Sequence, residues 1–197
     1  HAEMELIQPR QTLISAVHLG ALRPDYLRAL MNKNITALGF EFLQAEDGSV
    51  PIMGLMSEIA GISSIHIAST LLTLPVERGG SGSGLLLGGV TGVPPAVVAI
   101  IGAGTVGFHA SKTAVGIGAM VKVIDEEVHK LRKLEENLGH KVYTAVSQPD
   151  YVAHAVASAD VLIGAAYRKG ARAPIVVTED MVASMREGSV IIDVSID

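Results

Sequence analysis

Residues 97–107 read VVAIIGAGTVG, and the fold class follows from this segment. The five apolar residues at its start predict a strand buried on both faces, as in a parallel sheet. The glycines that follow have the spacing G-x-G-x-x-G. Small residues continue at Ala110 and Ala114, and they predict a closely packed helix over 106–117. Strand, glycine turn and helix together indicate an α/β fold with a Rossmann-type doubly wound parallel sheet.

The glycine turn is typical of a dinucleotide site. Gly102 permits the sharp turn, Gly104 leaves room for a pyrophosphate beside the backbone, and Gly107 lets the helix approach the strand. Thr105 and Val106 follow at the helix start, where free N–H groups and the positive end of the helix dipole favour a phosphate. We expect these five residues to contact a dinucleotide. The alternative is a glycine cluster that only shapes a loop.

Asp125 ends the next predicted strand, Met120–Ile124, at nearly the expected distance of about 20 residues from the glycines. A carboxylate there accepts hydrogen bonds from the adenosine ribose and repels a 2′-phosphate, so the predicted cofactor is NAD rather than NADP. Lys130 and Glu126 lie close to Asp125 in sequence. A cation at this point softens the discrimination against the phosphate.

Strands and helices alternate along the rest of the chain, which favours parallel strand pairing. Upstream, the predicted elements are strands at Thr12–Val17 and Ile35–Phe42, a helix that starts at Pro24, and a helix capped by Ser57 that stops before Pro75. Downstream, they are strands at Val142–Ala145, Val161–Ile163 and Val190–Val194, and helices that Gly139 ends, that span Tyr151–Ala157 and that Thr178 caps. We expect part of a second α/β substrate domain at 1–77, including the interdomain helix, a Gly-rich linker at 78–95, and the NAD-binding domain at 96–197.

Composition excludes several classes of protein. Hydrophobic residues make up 49% of the chain and charged residues 18%, so it folds around a core and is not disordered. The formal net charge is −5 and no basic cluster occurs, which argues against nucleic-acid binding. The chain has no Cys, so disulfides and thiolate nucleophiles are excluded. No pair of histidines has metal-ligand spacing, and no metal is expected.

One uncharged stretch, 79–108, is long enough to cross a bilayer. It contains Pro94-Pro95 and many glycines, so we interpret it as a linker and a buried strand, not as a membrane insertion. Residues 1–11 are polar and lack the apolar region of a secretory signal. A cytoplasmic protein is the expectation.

Several motifs make the chain resemble the alanine dehydrogenase family, which shares ancestry with the NAD-binding subunit of proton-translocating transhydrogenase. The resemblance covers nearly the whole chain. Its carriers are the glycine turn and the segments Met56–Gly61, Leu87–Val93, Val161–Ala165, Ala173-Pro174 and Gly188–Asp197.

The resemblance implies oxidation of L-alanine to pyruvate and ammonium, with reversible hydride transfer to NAD. It also implies a homo-oligomer, for which the apolar helix Ile59–Leu72 is a candidate interface. His18 matches the family's histidine that acts as acid/base or polarises the substrate, and Asp197 matches an acidic residue near the nicotinamide that is credited with a catalytic role. Taken alone, His18 at a strand end is more often structural, and Asp197 is the final residue. The further cofactor contacts implied by the resemblance are Ser57, Lys130, Ser147, Ala166 and Tyr167.

Three departures from the family pattern stand out. Ile62 replaces an arginine, Thr91 replaces a proline, and Ala166–Gly170 replaces apolar residues beside the cofactor. The family's substrate-binding arginine and lysine lie upstream of residue 1, so we expect NAD binding more readily than turnover. Two alternatives stay open, an NAD(H)-binding component of a transhydrogenase and a non-catalytic NAD-binding module. The first would work with a membrane subunit and an NADP-binding domain outside this chain.

Overall fold

The computed structural model describes residues 2–17, 23–75, 82–167 and 173–195. The chain divides into two compact units, His1–Met56 and Ser57–Asp197. The predicted division at the Gly-rich linker 78–95 concerns domains of a whole protein, and it stays a prediction.

The first unit contains a β-α-β arrangement, as predicted. Its elements are α1 (Ala2–Leu6), β1 (Thr12–Ser15), α2 (Pro24–Asn32) and β2 (Thr36–Gly39), followed by a 3₁₀ turn at Phe40–Phe42. Strands β1 and β2 are parallel, with Thr12 opposite Thr36. Both are shorter than predicted, because the Val17 N–H donates to Glu41 Oε1 at 2.8 Å and the chain after Gly39 turns. Among the described residues of this unit, only Leu30 is a buried hydrophobic side chain.

The second unit is built on a five-stranded parallel sheet of order β5-β4-β3-β6-β7. The helix α3 spans Pro51–Thr73 and begins before the boundary between the units. The remaining elements are β3 (Val97–Ile101), α4 (Thr105–Ile117), β4 (Met120–Asp125), α5 (Val128–Leu138), β5 (Val142–Val146), α6 (Pro149–Ala157), β6 (Val161–Gly164), α7 (Glu179–Ala183) and β7 (Val190–Asp193). This order confirms the doubly wound parallel sheet.

Strand β3 sits at the centre and contributes to a core on each face, because side chains alternate along a strand. Val98 and Ile100 pack with α3, α4 and α5 in one cluster. Ala99 and Ile101 pack with α6 and with Met181 of α7 in the other. Helices therefore cover both faces of the sheet, and this explains the uninterrupted apolar run in the sequence.

Helices α3 and α4 meet through small residues. Gly61 and Ala68 on α3, and Ala110 and Ala114 on α4, are all buried. A Cβ on Gly61 would overlap the backbone carbonyl of Val106, so the two helix backbones approach closely at this point. The first turn of α4 is thereby held against α3.

The prediction that Ser57 caps α3 is wrong. The helix begins at Pro51, a residue suited to the first turn, and Ser57 lies in the second turn. Other boundaries shift by one or two residues, since α4 begins at Thr105 and α6 at Pro149. Two predicted helix caps, one at a C-terminus and one at an N-terminus, are confirmed. Gly139 ends α5 with φ 63°, and the Thr178 hydroxyl accepts a hydrogen bond from the Met181 N–H at 3.4 Å.

Within the described part of the chain, Pro51–Thr73 is the helix with the length and apolar composition of a membrane span. Its small-residue face packs on α4. The opposite face exposes Leu55, Ile59 and Ile67.

Candidate functional site

The turn between β3 and α4 is fixed by two glycines and left open at a third. Gly102 adopts φ 113°, a conformation that L side chains avoid, and a Cβ there would overlap the Ala165 carbonyl. A Cβ on Gly107 would overlap the Gly102 carbonyl oxygen. At Gly104, by contrast, no heavy atom lies within 4 Å of a Cβ position. The turn therefore presents bare backbone to open space at Gly104 alone among these three.

Helix α4 starts at this open turn. Gly104 is its N-cap residue, and no side chain caps the helix. The first-turn N–H groups of a helix have no partner within the helix, and together with the helix dipole they attract an anion. The geometry at Gly104 and Thr105 fits a phosphate that approaches the backbone closely.

Asp125 holds the turn to the end of β4. The residue is 9% exposed, its Oδ2 accepts a hydrogen bond from the Ala103 N–H at 2.6 Å, and its Oδ1 accepts one from the Glu127 N–H at 2.8 Å. The sequence interpretation missed these two backbone contacts. An ionised carboxylate has about four acceptor positions, so each oxygen can accept a further hydrogen bond from a ligand.

A cavity of about 110 Å³ lies beside this turn, at the carboxyl edge of the sheet. It gathers many of the residues predicted to contact a cofactor. These are Gly102, Gly104, Asp125, Lys130, Ser147, Ala166 and Tyr167. They lie at the carboxyl ends of four strands, β3 to β6, and at the start of α5, and the parallel sheet places those strand ends at one edge.

Other predicted residues lie elsewhere. Thr105 lines a neighbouring groove of about 450 Å³ between α4 and α5, together with Gly104 and Lys130. Ser57, Val106 and Gly107 line neither cavity, and Gly107 acts through packing.

The two predicted catalytic residues, His18 and Asp197, lie outside the described residues. In sequence, His18 comes shortly after β1 and Asp197 shortly after β7. Their catalytic roles stay predictions.

A second cavity of about 300 Å³ opens on the other side of β3, between the ends of β6 and β7. It is mainly apolar, with Pro174 and Ile191 in its wall, and the Asp193 carboxylate is its charged group. The Ser195 N–H donates to Asp193 Oδ1 at 3.0 Å. Ile101 and Ala166 border both cavities, so the two adjoin where the strand order reverses. Ligands of open α/β sheets bind at such a reversal point.

Lys130 is the cation of the smaller cavity, and Glu127 holds it. Lys130 Nζ forms a short ion pair with Glu127 Oε1. This hydrogen bond raises the pKa of Lys130 above its ordinary value of 10.5; burial opposes the rise, and the negative charges of Asp125, Glu127 and Glu126 add to it. Sequence reasoning missed Glu127. The three-residue spacing between Glu127 and Lys130 on a predicted helix was the signal that could have found it.

No group of three His, Asp or Glu side chains within the ranges that the structure describes is placed to hold a metal ion. The described polar residues that line the smaller cavity supply backbone N–H groups, hydroxyls, carboxylates and one lysine.

Two family models match the chain. The alanine dehydrogenase/PNT N-terminal domain matches residues 1–60, and the C-terminal domain matches residues 46–197. An alanine dehydrogenase of Methanococcus maripaludis is 44% identical over 196 residues, which are 100% of this chain and 51% of that protein. An alanine dehydrogenase of Bacillus subtilis is 44% identical over 185 residues, 94% of this chain and 47% of that protein. The chain thus spans about half the length of the curated relatives it matches.

Solved structures agree with these matches. One titled L-alanine dehydrogenase superposes with a TM-score of 0.87 and 41% identity, covering 98% of this chain and 52% of that one. A transhydrogenase from Sinorhizobium meliloti superposes with a TM-score of 0.75 and 24% identity, covering 96% of this chain and 54% of that one. The second likeness shows a shared fold.

Proposed function

The chain belongs to the alanine dehydrogenase/PNT family, and from that membership we propose that it binds NAD and serves the reversible oxidative deamination of L-alanine to pyruvate and ammonium. The proposed partners are therefore a small amino acid and its 2-oxo acid. Support comes from relatives named alanine dehydrogenase that match the chain over nearly its whole length.

The observation that carries the proposal is the cavity beside Gly104 and Asp125. The open Cβ direction at Gly104 and the uncapped start of α4 fit a pyrophosphate. The Asp125 carboxylate lies on the same cavity, at the strand end where a ribose hydroxyl donates a hydrogen bond. A negative charge at that point favours NAD over NADP.

When bound, NAD accepts the hydride, and the protein binds, orients and excludes water around the reacting atoms. We assign His18 the role of moving the proton at the substrate, because an imidazole titrates near neutral pH. Asp197 is assigned a place near the nicotinamide. Both roles rest on the family resemblance.

A homo-oligomer in the cytoplasm completes the proposal. The exposed apolar face of α3, with Leu55, Ile59 and Ile67, supports a protein interface, since large apolar patches are rarely left in water. Light scattering on the wild type and on Ile59→Glu tests this assembly. A monomer in both cases would contradict it.

Cofactor binding is tested by calorimetric titration of the full chain with NAD. Gly104→Ala places a methyl group in the open space where the pyrophosphate is expected, so Kd should rise roughly tenfold or more. Gly116→Ala is the matched control, because it lies on the same helix and its Cβ also meets open space. Equal affinity in all three proteins would contradict a dinucleotide site at this turn.

Turnover is tested on the full-length protein by the appearance of NADH with L-alanine and NAD, compared with other small amino acids. His18→Ala should abolish oxidation and leave NAD binding intact, whereas His154→Ala, at an exposed position on α6, should leave both oxidation and NAD binding unchanged. NAD binding without any turnover would instead favour a transhydrogenase component or a non-catalytic NAD-binding module.

A further inference from the structure

The cavity beside Asp125 contains groups of opposite charge. Asp125 and Glu126 contribute carboxylates, and Lys130 contributes an ammonium. In dinucleotide-binding folds a carboxylate at this strand end selects the free ribose of NAD, while a cation nearby accommodates the 2′-phosphate of NADP. Whether Lys130 is available to a ligand therefore affects the choice of cofactor.

The structure shows that Lys130 is already engaged. Its ammonium pairs with Glu127 Oε1, one helical turn earlier at the start of α5. The second Glu127 oxygen lies 3.5 Å from His129 Nδ1. The backbone N–H of Glu127 donates to Asp125 Oδ1. Glu127 thus connects the carboxylate expected to select NAD with the cation that would oppose it.

We propose that Glu127 is a positioning residue for cofactor specificity, which keeps the Lys130 ammonium occupied and so denies it to a 2′-phosphate. The inference rests on the proposed binding of NAD at this site. It adds a residue that acts through a neighbour, since Glu127 does not itself line the cavity.

The charges around this pair set the size of the effect. Asp125 and Glu126 repel a phosphate whether or not Glu127 is present, and His129 and Lys133 lie along the adjoining groove. The Lys130 side chain is 37% exposed, so water and salt screen its charge. The expected change in affinity is therefore severalfold rather than a reversal of preference.

The experiment measures Kd for NAD and for NADP by calorimetry on the full chain. Glu127→Gln keeps the size of the side chain and releases Lys130. We expect Kd for NADP to fall roughly threefold to fivefold, with Kd for NAD nearly unchanged, and the gain to shrink at high salt. Glu136→Gln is the matched control, because it removes the same charge from an exposed position of α5.

A double-mutant cycle separates this mechanism from general loss of negative charge. Lys130→Met should weaken NADP binding more in the Glu127→Gln background than in the wild type. If the gain in NADP affinity persists in Glu127→Gln/Lys130→Met, or if Glu136→Gln produces it equally, the inference is wrong. An unchanged ratio of the two Kd values in Glu127→Gln also overturns it.

Thermal unfolding of each variant separates a folding defect from a change in selectivity. Should Glu127→Gln fold poorly, Glu127→Asp provides a second variant with a shorter reach, and it should give a smaller shift in the same direction. NAD binding by the wild type tests the proposed function separately. Its absence would overturn the proposed function and this inference together, whereas NAD binding with unchanged selectivity overturns the inference alone.

Discussion

Strand β3 is anchored at each end by a buried aspartate, and the two ends differ in what faces that aspartate. At the carboxyl end, Asp125 accepts the Ala103 N–H through its side chain, and its backbone carbonyl accepts the Ser147 N–H. At the amino end, Asp160 exchanges backbone and side-chain hydrogen bonds with Val97. Both residues are nearly inaccessible, with 9% and 5% exposed.

The difference lies in charge compensation. Asp160 Oδ1 is 3.2 Å from the Arg186 guanidinium, so its charge is neutralised within the fold. The contacts described for the Asp125 carboxylate are two backbone N–H groups, and it borders a cavity. Asp160 therefore acts within the fold at the amino edge of the sheet, whereas Asp125 presents its negative charge to a cavity at the carboxyl edge.

The largest effect is expected from a substitution that disrupts the glycine turn at the carboxyl end of β3. A methyl group in Gly107→Ala would overlap the Gly102 carbonyl, and neither backbone can move without disturbing the turn. We expect the free energy of unfolding to fall by about 3 kcal/mol. Urea denaturation measures it, with Gly116→Ala on the same helix as a control that should be neutral or stabilising. A loss below about 1 kcal/mol in Gly107→Ala would show that the turn can relax.

The next largest effect is expected from a substitution that removes the aspartate at the amino end of β3. Asp160→Ala leaves the Val97 N–H without its side-chain acceptor in the interior, so we expect a loss of about 2–3 kcal/mol of unfolding free energy. The ratio of the Kd values for NADP and NAD should not change. Urea denaturation and calorimetry check the two halves of this prediction. A shift in cofactor selectivity would contradict the division of roles between the two ends.

The substitution Asp125→Asn tests whether the charge of this aspartate, unlike that of Asp160, affects the choice of cofactor. An amide oxygen can still accept the Ala103 N–H, but the amide NH2 then faces the Glu127 N–H donor, so we expect about 1–2 kcal/mol of destabilisation. Removing the charge should lower the Kd for NADP relative to the Kd for NAD roughly tenfold. Asp160→Asn is the matched control and should leave that ratio unchanged. If both variants alter stability equally and neither alters the ratio, Asp125 is structural like Asp160.

The smallest effect is a loss of stability at alkaline pH, which we expect from the Glu127–Lys130 pair near the carboxyl end of β3. The pKa of Lys130 is raised, so the stability that this lysine contributes is fully present below its ordinary pKa of 10.5 and is lost as pH rises through the higher folded value. At the other end, the partner of Asp160 is the Arg186 guanidinium, and Glu127→Gln leaves that pair intact. Urea midpoints between about pH 9 and pH 11.5 should fall more steeply for the wild type than for Glu127→Gln. Parallel curves would argue against the contribution of the Glu127–Lys130 pair.

Much of the fold could be predicted because its signals are local. The apolar run 97–101 and the glycines after it require a buried strand and a tight turn wherever they occur. The cap assigned to Ser57 failed because Ser is favoured at helix starts only where the chain does not already form a helix, and α3 starts at Pro51. Asp160 went unnoticed because an aspartate before a strand has no distinguishing pattern until Val97 and Arg186 are placed beside it.

The doubly wound class of the second unit, and the places of Gly102, Gly104, Gly107 and Asp125 in it, follow from the chain order alone, since strand period, glycine spacing and helix caps act over a few residues. Tertiary contacts were needed to show that the Asp125 carboxylate also accepts the Ala103 N–H, that Gly104 faces open space, and that Glu127 forms an ion pair with Lys130. Those properties depend on atoms brought together from several strand ends. A carboxylate's role follows from the donors and cations that surround it, and the chain order does not specify that neighbourhood.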